Sequence, residues 1–216
     1  MSQELFEAIG EGNLEAVRRL VEADPALAGA RDERGVSAVR MARYRLRDDL
    51  VEALLAAGPE LDLFDAAVLG QADRVAAILD GDPGAIRSDS GDGGTALHLA
   101  AFLGGAATVR LLLQRGADPL AVAPGFNDVQ PIHSAVAGRD EGAVRALLEH
   151  GCDVDARQKG GYTPLQGAAH AGMDVVVDLL LEHGADAGAR TDEGHTAADL
   201  ARGAGHGALA DRLERP

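Results

Sequence analysis

The sequence predicts an all-α solenoid, a single stack of short helix–turn–helix units. Three observations carry that prediction. Four segments align with one another: TALHLAAFLGGAATVRLLLQRGAD from Thr95, QPIHSAVAGRDEGAVRALLEHGCD from Gln130, TPLQGAAHAGMDVVVDLLLEHGAD from Thr163 and TAADLARGAGHGALADRLERP from Thr196, with first residues 35, 33 and 33 apart. Within a unit the apolar residues keep helical spacing, as Leu97, Ala100 and Ala101 do in one helix and Val109, Leu112 and Leu113 in the next. A lone helix pair of this kind cannot cover its own apolar face, whereas a stack buries each face against its neighbour.

Each unit reads as a short apolar helix, a turn often holding Gly, a second helix ending in Leu-Leu, and a Gly-rich link. Upstream, LFEAIGEGNLEAVRRLVEADP from Leu5, SAVRMARYRLRDDLVEALLAAG from Ser37 and LFDAAVLGQADRVAAILDGDP from Leu63 fit the same frame. That makes seven units in one domain over 1–216, at about 3–34, 35–60, 61–92, 93–127, 128–160, 161–193 and 194–216, with no linker to a second domain. Units one and three end in EADPALAGARD and DGDPGAIRSD, 58 residues apart, as in a copied two-unit block.

The motifs TALHLAA, QPIHSAV and TPLQGAA, with the unit endings RGAD, HGCD and HGAD, resemble the ankyrin-repeat family. The resemblance runs from about Leu5 to Leu213 and is most specific in the last four units. It implies a solenoid with short β-hairpin fingers between units and a concave groove lined by the first helices. Thr95, Thr163 and Thr196 match the motif's Thr; His98 and His133 match its His, which ties down the loop rather than doing chemistry. Phe6 and Phe64 fall at the same His position, as packing residues.

The chain departs from the pattern in four places. Between units two and three, in LLAAGPELDLFDAA, the frame advances only 24 residues, so the finger there is expected to be missing. Leu46 stands in the inter-helix turn where other units carry Gly70, Gly104 or Gly172, which suggests a different turn. The link AVAPGFNDVQ before unit five is two residues longer than its equivalents. Arg212 replaces an apolar position of the last helix, as a solvent-facing cap would.

Charge and composition narrow the function. A formal net charge of −15 argues against nucleic-acid binding, which rests on clustered Lys and Arg, and favours a basic protein partner. No apolar leader is visible at the N-terminus and no stretch approaches the length of a membrane span. One cysteine, Cys152, cannot form an internal disulfide, so a cytoplasmic location and an inert thiol are expected.

No motif for catalysis or cofactors stands up. GDGGTA at 91–96 has the glycines of a dinucleotide loop but follows no buried strand, and it lacks the acidic order of a calcium loop. His150 and His183 recur near helix C-termini, where partial positive charge is favourable, and no pair has zinc-ligand spacing. No catalytic, cofactor-binding or metal-binding residue is expected. Arg40, Arg43, Arg45 and Arg47 read either as a solvated face neutralised by Asp48, Asp49 and Glu52 or as a local site for a carboxylate or phosphate.

The six aromatic residues are the most informative feature. In the repeat frame Tyr44 and Phe102 fall at groove positions, Tyr162 at a finger position and Phe126 in the long link before unit five. Phe102 and Leu103 lie three and four residues after Leu99, on a face distinct from that of Leu97 and Ala101. An exposed apolar patch with aromatics and an Arg at its edge is a typical interaction site, although the same residues could pack between units. The expectation is a non-catalytic module, without cofactor and monomeric, binding another protein through Tyr44, Arg45, Val68, Leu69, Phe102, Leu103, Phe126, Lys159, Tyr162 and His170. Two alternatives stay open: a small-molecule or anion binder or enzyme using the arginine-rich second unit, and a self-associating structural module.

Overall fold

A computed structural model describes residues 1–214. It contains seven antiparallel helix pairs. The first helices are α1 (Ser2–Glu11), α3 (Ala38–Tyr44), α5 (Leu63–Val68), α7 (Ala96–Leu99), α9 (Pro131–Ala137), α11 (Pro164–His170) and α13 (Ala197–Gly203). The second helices are α2 (Leu14–Ala23), α4 (Asp48–Ala56), α6 (Ala72–Gly81), α8 (Ala106–Gln114), α10 (Glu141–Glu149), α12 (Asp174–Glu182) and α14 (Gly207–Leu213). No strand or sheet forms among the described residues; hairpin fingers are marked by single antiparallel bridges at Arg31–Ser37, Asp89–Thr95 and Ala123–Val129.

The first helices start where the sequence supplies caps. Ser37 Oγ accepts from the Arg40 amide at 3.0 Å and Asp62 Oδ1 from the Asp65 amide at 2.7 Å, filling a donor that a helix start leaves empty. The residue three later answers. The amides of Thr95 and Gln130 donate to Nδ1 of His98 and His133 at 3.2 and 3.1 Å, and the Thr163 amide donates to Gln166 Oε1 at 2.9 Å. Each of these side chains then donates from its far nitrogen to the next link, at Val129 O, Ala156 O and Ala189 O respectively. One side chain therefore ties a helix start to the next finger.

Burial holds His98 and His133 below the ordinary histidine pKa, so the folded state keeps them neutral. The consequence has a definite sign. Above the unfolded value of about 6.5 both states are neutral; below it the unfolded chain takes up protons that the folded chain refuses. Stability is expected to fall as the pH drops below about 6.5, by about 1.4 kcal/mol per histidine for each unit by which the folded value is depressed. Replacing both by Gln, the residue unit six uses, should flatten that slope in urea unfolding measured across pH. An unchanged slope would show that these rings titrate freely.

The turns between paired helices differ from expectation. Leu46 (φ 54°) makes the same left-handed turn as Gly12, Gly70, Gly172 and Gly205, its amide donating to Arg43 O while the Arg47 amide donates to Ala42 O. Arg139 (φ 56°) does so in unit five. The different turn lies in unit four. There α7 runs on through a π turn, Ala100–Gly104, and the left-handed residue is Gly105 (φ 83°, ψ 163°), not Gly104. That is one residue more than in units two, five and six. Gly104 has another task, because a Cβ there would lie 1.9 Å from Ala67 O of unit three.

The apolar core falls into two blocks. One packs α1 to α4 and ends at Leu61; the other runs from Leu63 through α14. Between them lies a buried polar layer. Arg40, only 1% exposed, sets Nε 3.2 Å from Asp65 Oδ1, NH2 3.5 Å from Asp62 and NH1 3.7 Å from Asp92. Asp65 also accepts from Ser37 Oγ at 2.6 Å and pairs with Arg31, and the Arg40 guanidinium lies 5.4 Å from the Phe64 ring centre. Burial works against the charge of Arg40, but Asp65 and Asp62 outweigh it and hold it protonated. This corrects the solvated-face reading of Arg40, although Arg43 and Arg47 do pair with Asp48 and Asp49. Asp65, not Phe64, occupies the motif's His position. Arg212 pairs with Asp174 and Asp178 of the preceding unit as well as facing solvent.

No bridge marks a finger between units two and three, and the fingers on either side close up. A Cβ on Gly91 would sit 1.5 Å from Arg34 O, so the first finger rests directly on the third unit's. That closure brings unit two side chains to the end of unit three and to unit four: Tyr44 OH donates to Asp92 Oδ2 at 2.6 Å, and Arg43 NH2 to Leu103 O at 3.0 Å.

A candidate binding groove

First helices and fingers together frame a cavity of about 280 Å³ between units four and five, lined by both. Its aromatic walls are Tyr44, Phe102 and Phe126, with Leu99, Val129 and Ala137 as apolar floor. His98, His133, Ser134 and Gln158 supply the polar edge. None of these residues comes from a second helix.

Each wall has a local cause. Tyr44 is fixed by its bond to Asp92, which also pairs with Arg40 and accepts from Ser90 Oγ. Burial and that carboxylate push the Tyr44 phenol far above its usual range, so it stays a neutral donor. Phe102 lies in the π turn and is 38% exposed, at once a wall and an open surface. Such turns recur at functional sites because the extra residue re-aims side chains. Phe126 ends a short 3-10 turn, Pro124–Phe126, followed by left-handed Asn127 and Asp128; the two extra residues of this link build that feature.

A second depression of about 200 Å³ continues the first one unit further along, between α9 and α11. It shares His133, Ala137 and Gln158 with the first and adds Arg139, Pro164, Gly167 and Ala171. The two form one trough.

Of the sequence-predicted residues, Tyr44, Phe102 and Phe126 converge. Leu103, next to Phe102, is half-buried; Leu69 is half-buried and packs against the α1–α4 core; Lys159 and His170 are exposed near the second depression. Tyr162 is half-buried, its ring against Gly160, and lines neither cavity. Arg45 is exposed and turns toward Gly10 of α1. Val68 is corrected: it is 0% exposed and belongs to the core. Unit three's first helix reaches its left-handed glycine one residue early, which turns Val68 inward and Leu69 outward. Sequence reasoning missed Gln158 and Arg139; the only signal was Arg139 standing in a column of glycines.

His98 and His133 are neutral and spend both nitrogens on the backbone. Burial and neighbouring Asp153 push the half-buried Cys152 thiol up to about 12, so it stays protonated at neutral pH. Among the described residues no group of three His, Cys, Asp or Glu is placed to hold a metal, and no helix is long and apolar enough to cross a membrane.

Stacked helix pairs, tied by N-terminal caps, define a helical-repeat solenoid. Models of "Ankyrin repeats (3 copies)" and "Ankyrin repeats (many copies)" match residues 63–158 and 147–201, together more than half the chain, which belongs to the ankyrin-repeat family. It is 36% identical over 109 residues to the rat (Rattus norvegicus) Ankyrin repeat and SAM domain-containing protein 6, covering 47% of this chain and 11% of that protein. It is 33% identical over 130 residues to the human (Homo sapiens) Neurogenic locus notch homolog protein 4, covering 60% of this chain and 6% of that one. The chain thus spans about a tenth or less of the curated relatives it matches. Ankyrin repeats are in general protein–protein interaction modules and not catalysts.

Proposed function

We propose that the chain is a non-catalytic, monomeric protein-binding module that seats a partner side chain in the trough between units four and six. The observation that carries this reading is the meeting of Tyr44 of unit two with Phe102 and Phe126 of unit four around one open apolar cavity. Aromatic anchors in a partly enclosed, mostly apolar pocket are where binding energy concentrates. The arginine-rich second unit supports an anion site less well, because Arg40, Arg43 and Arg47 already face carboxylates. A lone half-buried thiol suits the reducing cytoplasm we propose as its location.

Phe102→Asp is expected to leave the fold intact, because the ring is 38% exposed, and to abolish partner retention in a pull-down. Phe126→Asp serves as a second variant on the opposite wall. Two folded variants that retain the same proteins as wild type would sink the reading.

A further inference from the structure

The negative charge of the molecule is not spread evenly. The second helices of units two to six (α4, α6, α8, α10 and α12) carry ten acidic residues against three arginines. The groove-lining helices of the same units carry one acidic residue, Asp65, which is buried and paired. A basic partner drawn by the net charge would therefore meet the outer helices more readily than the groove-lining helices.

The trough has its own charge pattern. Arg139 lines the second depression, and its NH1 is bound only to Ala171 O at 3.1 Å. Exposed Lys159 follows Gln158, which lines both cavities. Among the described residues neither cation has a carboxylate oxygen within 4.0 Å, whereas nearby Arg157 is engaged by Asp192 at 3.8 Å. Exposed Asp128 follows Asn127, whose carbonyl accepts from the Lys159 amide at 2.9 Å, without its carboxylate coming within 4.0 Å of the Lys159 ammonium. Arg139 also holds a left-handed conformation where four other units carry Gly.

We infer that the trough binds an extended acidic segment of another protein: one aromatic or large aliphatic side chain in the Tyr44–Phe102–Phe126 cavity, and an Asp or Glu about three residues away over Arg139 and Lys159. This rests on the groove reading above and adds the chemistry and polarity of the occupant. The spacing follows from geometry. Neighbouring stacked helices lie about 8–10 Å apart, and an extended chain advances about 3.3–3.6 Å per residue. Three residues therefore span one unit. The size suits one side chain at a time, the first cavity being about 280 Å³ and the second about 200 Å³.

The test is selection of random twelve-residue displayed peptides on the full chain, followed by fluorescence polarisation of enriched, labelled peptides. Variants for comparison are Phe102→Asp, Lys159→Glu and Arg139→Gly, each checked for folding. The expected result is enrichment of an anchor with Asp or Glu three residues away, and dissociation constants raised at least tenfold by Phe102→Asp and by Lys159→Glu. Arg139→Gly should raise the urea midpoint, by relieving the backbone, while still weakening the peptide. Peptides lost by Phe102→Asp but unaffected or strengthened by Lys159→Glu would overturn the acidic assignment and leave the groove reading standing. No enrichment, enrichment of Lys- and Arg-rich peptides indifferent to Phe102→Asp, or concentration-dependent dimers abolished by that variant would overturn the inference; the last would make a second copy the occupant.

Discussion

Arg40→Leu is expected to destabilise the protein by about 3–5 kcal/mol in urea unfolding, among the largest effects of any single change. The reason is what the substitution leaves behind. Asp65 is 0% exposed, so removing the guanidinium leaves a buried carboxylate beside the partly exposed Asp62, with only Ser37 and the partly exposed Arg31 to answer it. Burial and Asp62 already push the Asp65 carboxyl up, opposed by Ser37, Arg40 and Arg31; without Arg40 it must protonate or the layer must open. Arg40→Leu combined with Asp65→Leu should recover much of the loss, because replacing both partners removes the stranded charge. The layer also lies at the join between the two apolar blocks, so units one and two of Arg40→Leu should unfold at lower urea than units three to seven. A cost below about 1 kcal/mol with a single transition would show that the network is not structural.

The same network connects stability to the groove. Asp92 bonds both Tyr44 and Ser90 and faces Arg40, so the layer that joins the blocks also holds the first wall of the cavity. Arg40→Leu should therefore lower partner affinity even where the chain stays folded.

How far this was legible in the sequence depends on what the repeat frame can carry. Helix pairs and stacking are legible because apolar spacing and recurring caps are local signals. The placing of Tyr44 and Phe102 on the groove face is legible too, since the frame converts a distance in sequence into a place on one face; that Tyr44 and Phe126 meet around Phe102 is not, because it depends on the fingers closing up across the missing one. Val68 fails for a physical reason. From cap to left-handed turn the first helix takes eight residues in unit three (Asp62 to Gly70), nine in unit two (Ser37 to Leu46) and ten in unit four (Thr95 to Gly105). One residue rotates a helical side chain by about 100°, so equal counting places it on the wrong face. The Arg40–Asp65 pair hides for a related reason. Each residue looks ordinary alone, and only counting the gap from Ser37 to Asp62 as 25 residues puts both in the column of His98 and His133.

The two glycines after Leu103 make the second large effect and separate two causes that look alike in sequence. Gly104→Ala is expected to cost about 3 kcal/mol, at the upper end of overpacking, because the new methyl meets the Ala67 carbonyl and not a flexible side chain. The contact cannot relax within one unit. Gly70 approaches Gly104 O in return, and Gly138 approaches Phe102 O from the next unit, so three units touch backbone to backbone here. Gly105→Ala acts differently. Its φ of 83° and ψ of 163° lie in a region open almost only to Gly, costing about 1–3 kcal/mol, while the nearest atom to a new Cβ is Asp140 Oδ2 at 3.7 Å, an ordinary contact. The expected distinction lies in cooperativity. Gly104→Ala should loosen unit three from unit four and broaden the urea transition, whereas Gly105→Ala should shift the midpoint with the slope preserved. Both should weaken peptide binding, because the π turn that aims Phe102 ends on this pair. If Gly104→Ala is neutral, the units do not approach as closely as Ala67 O and Gly104 indicate, and the π turn has room to rewind into a regular helix.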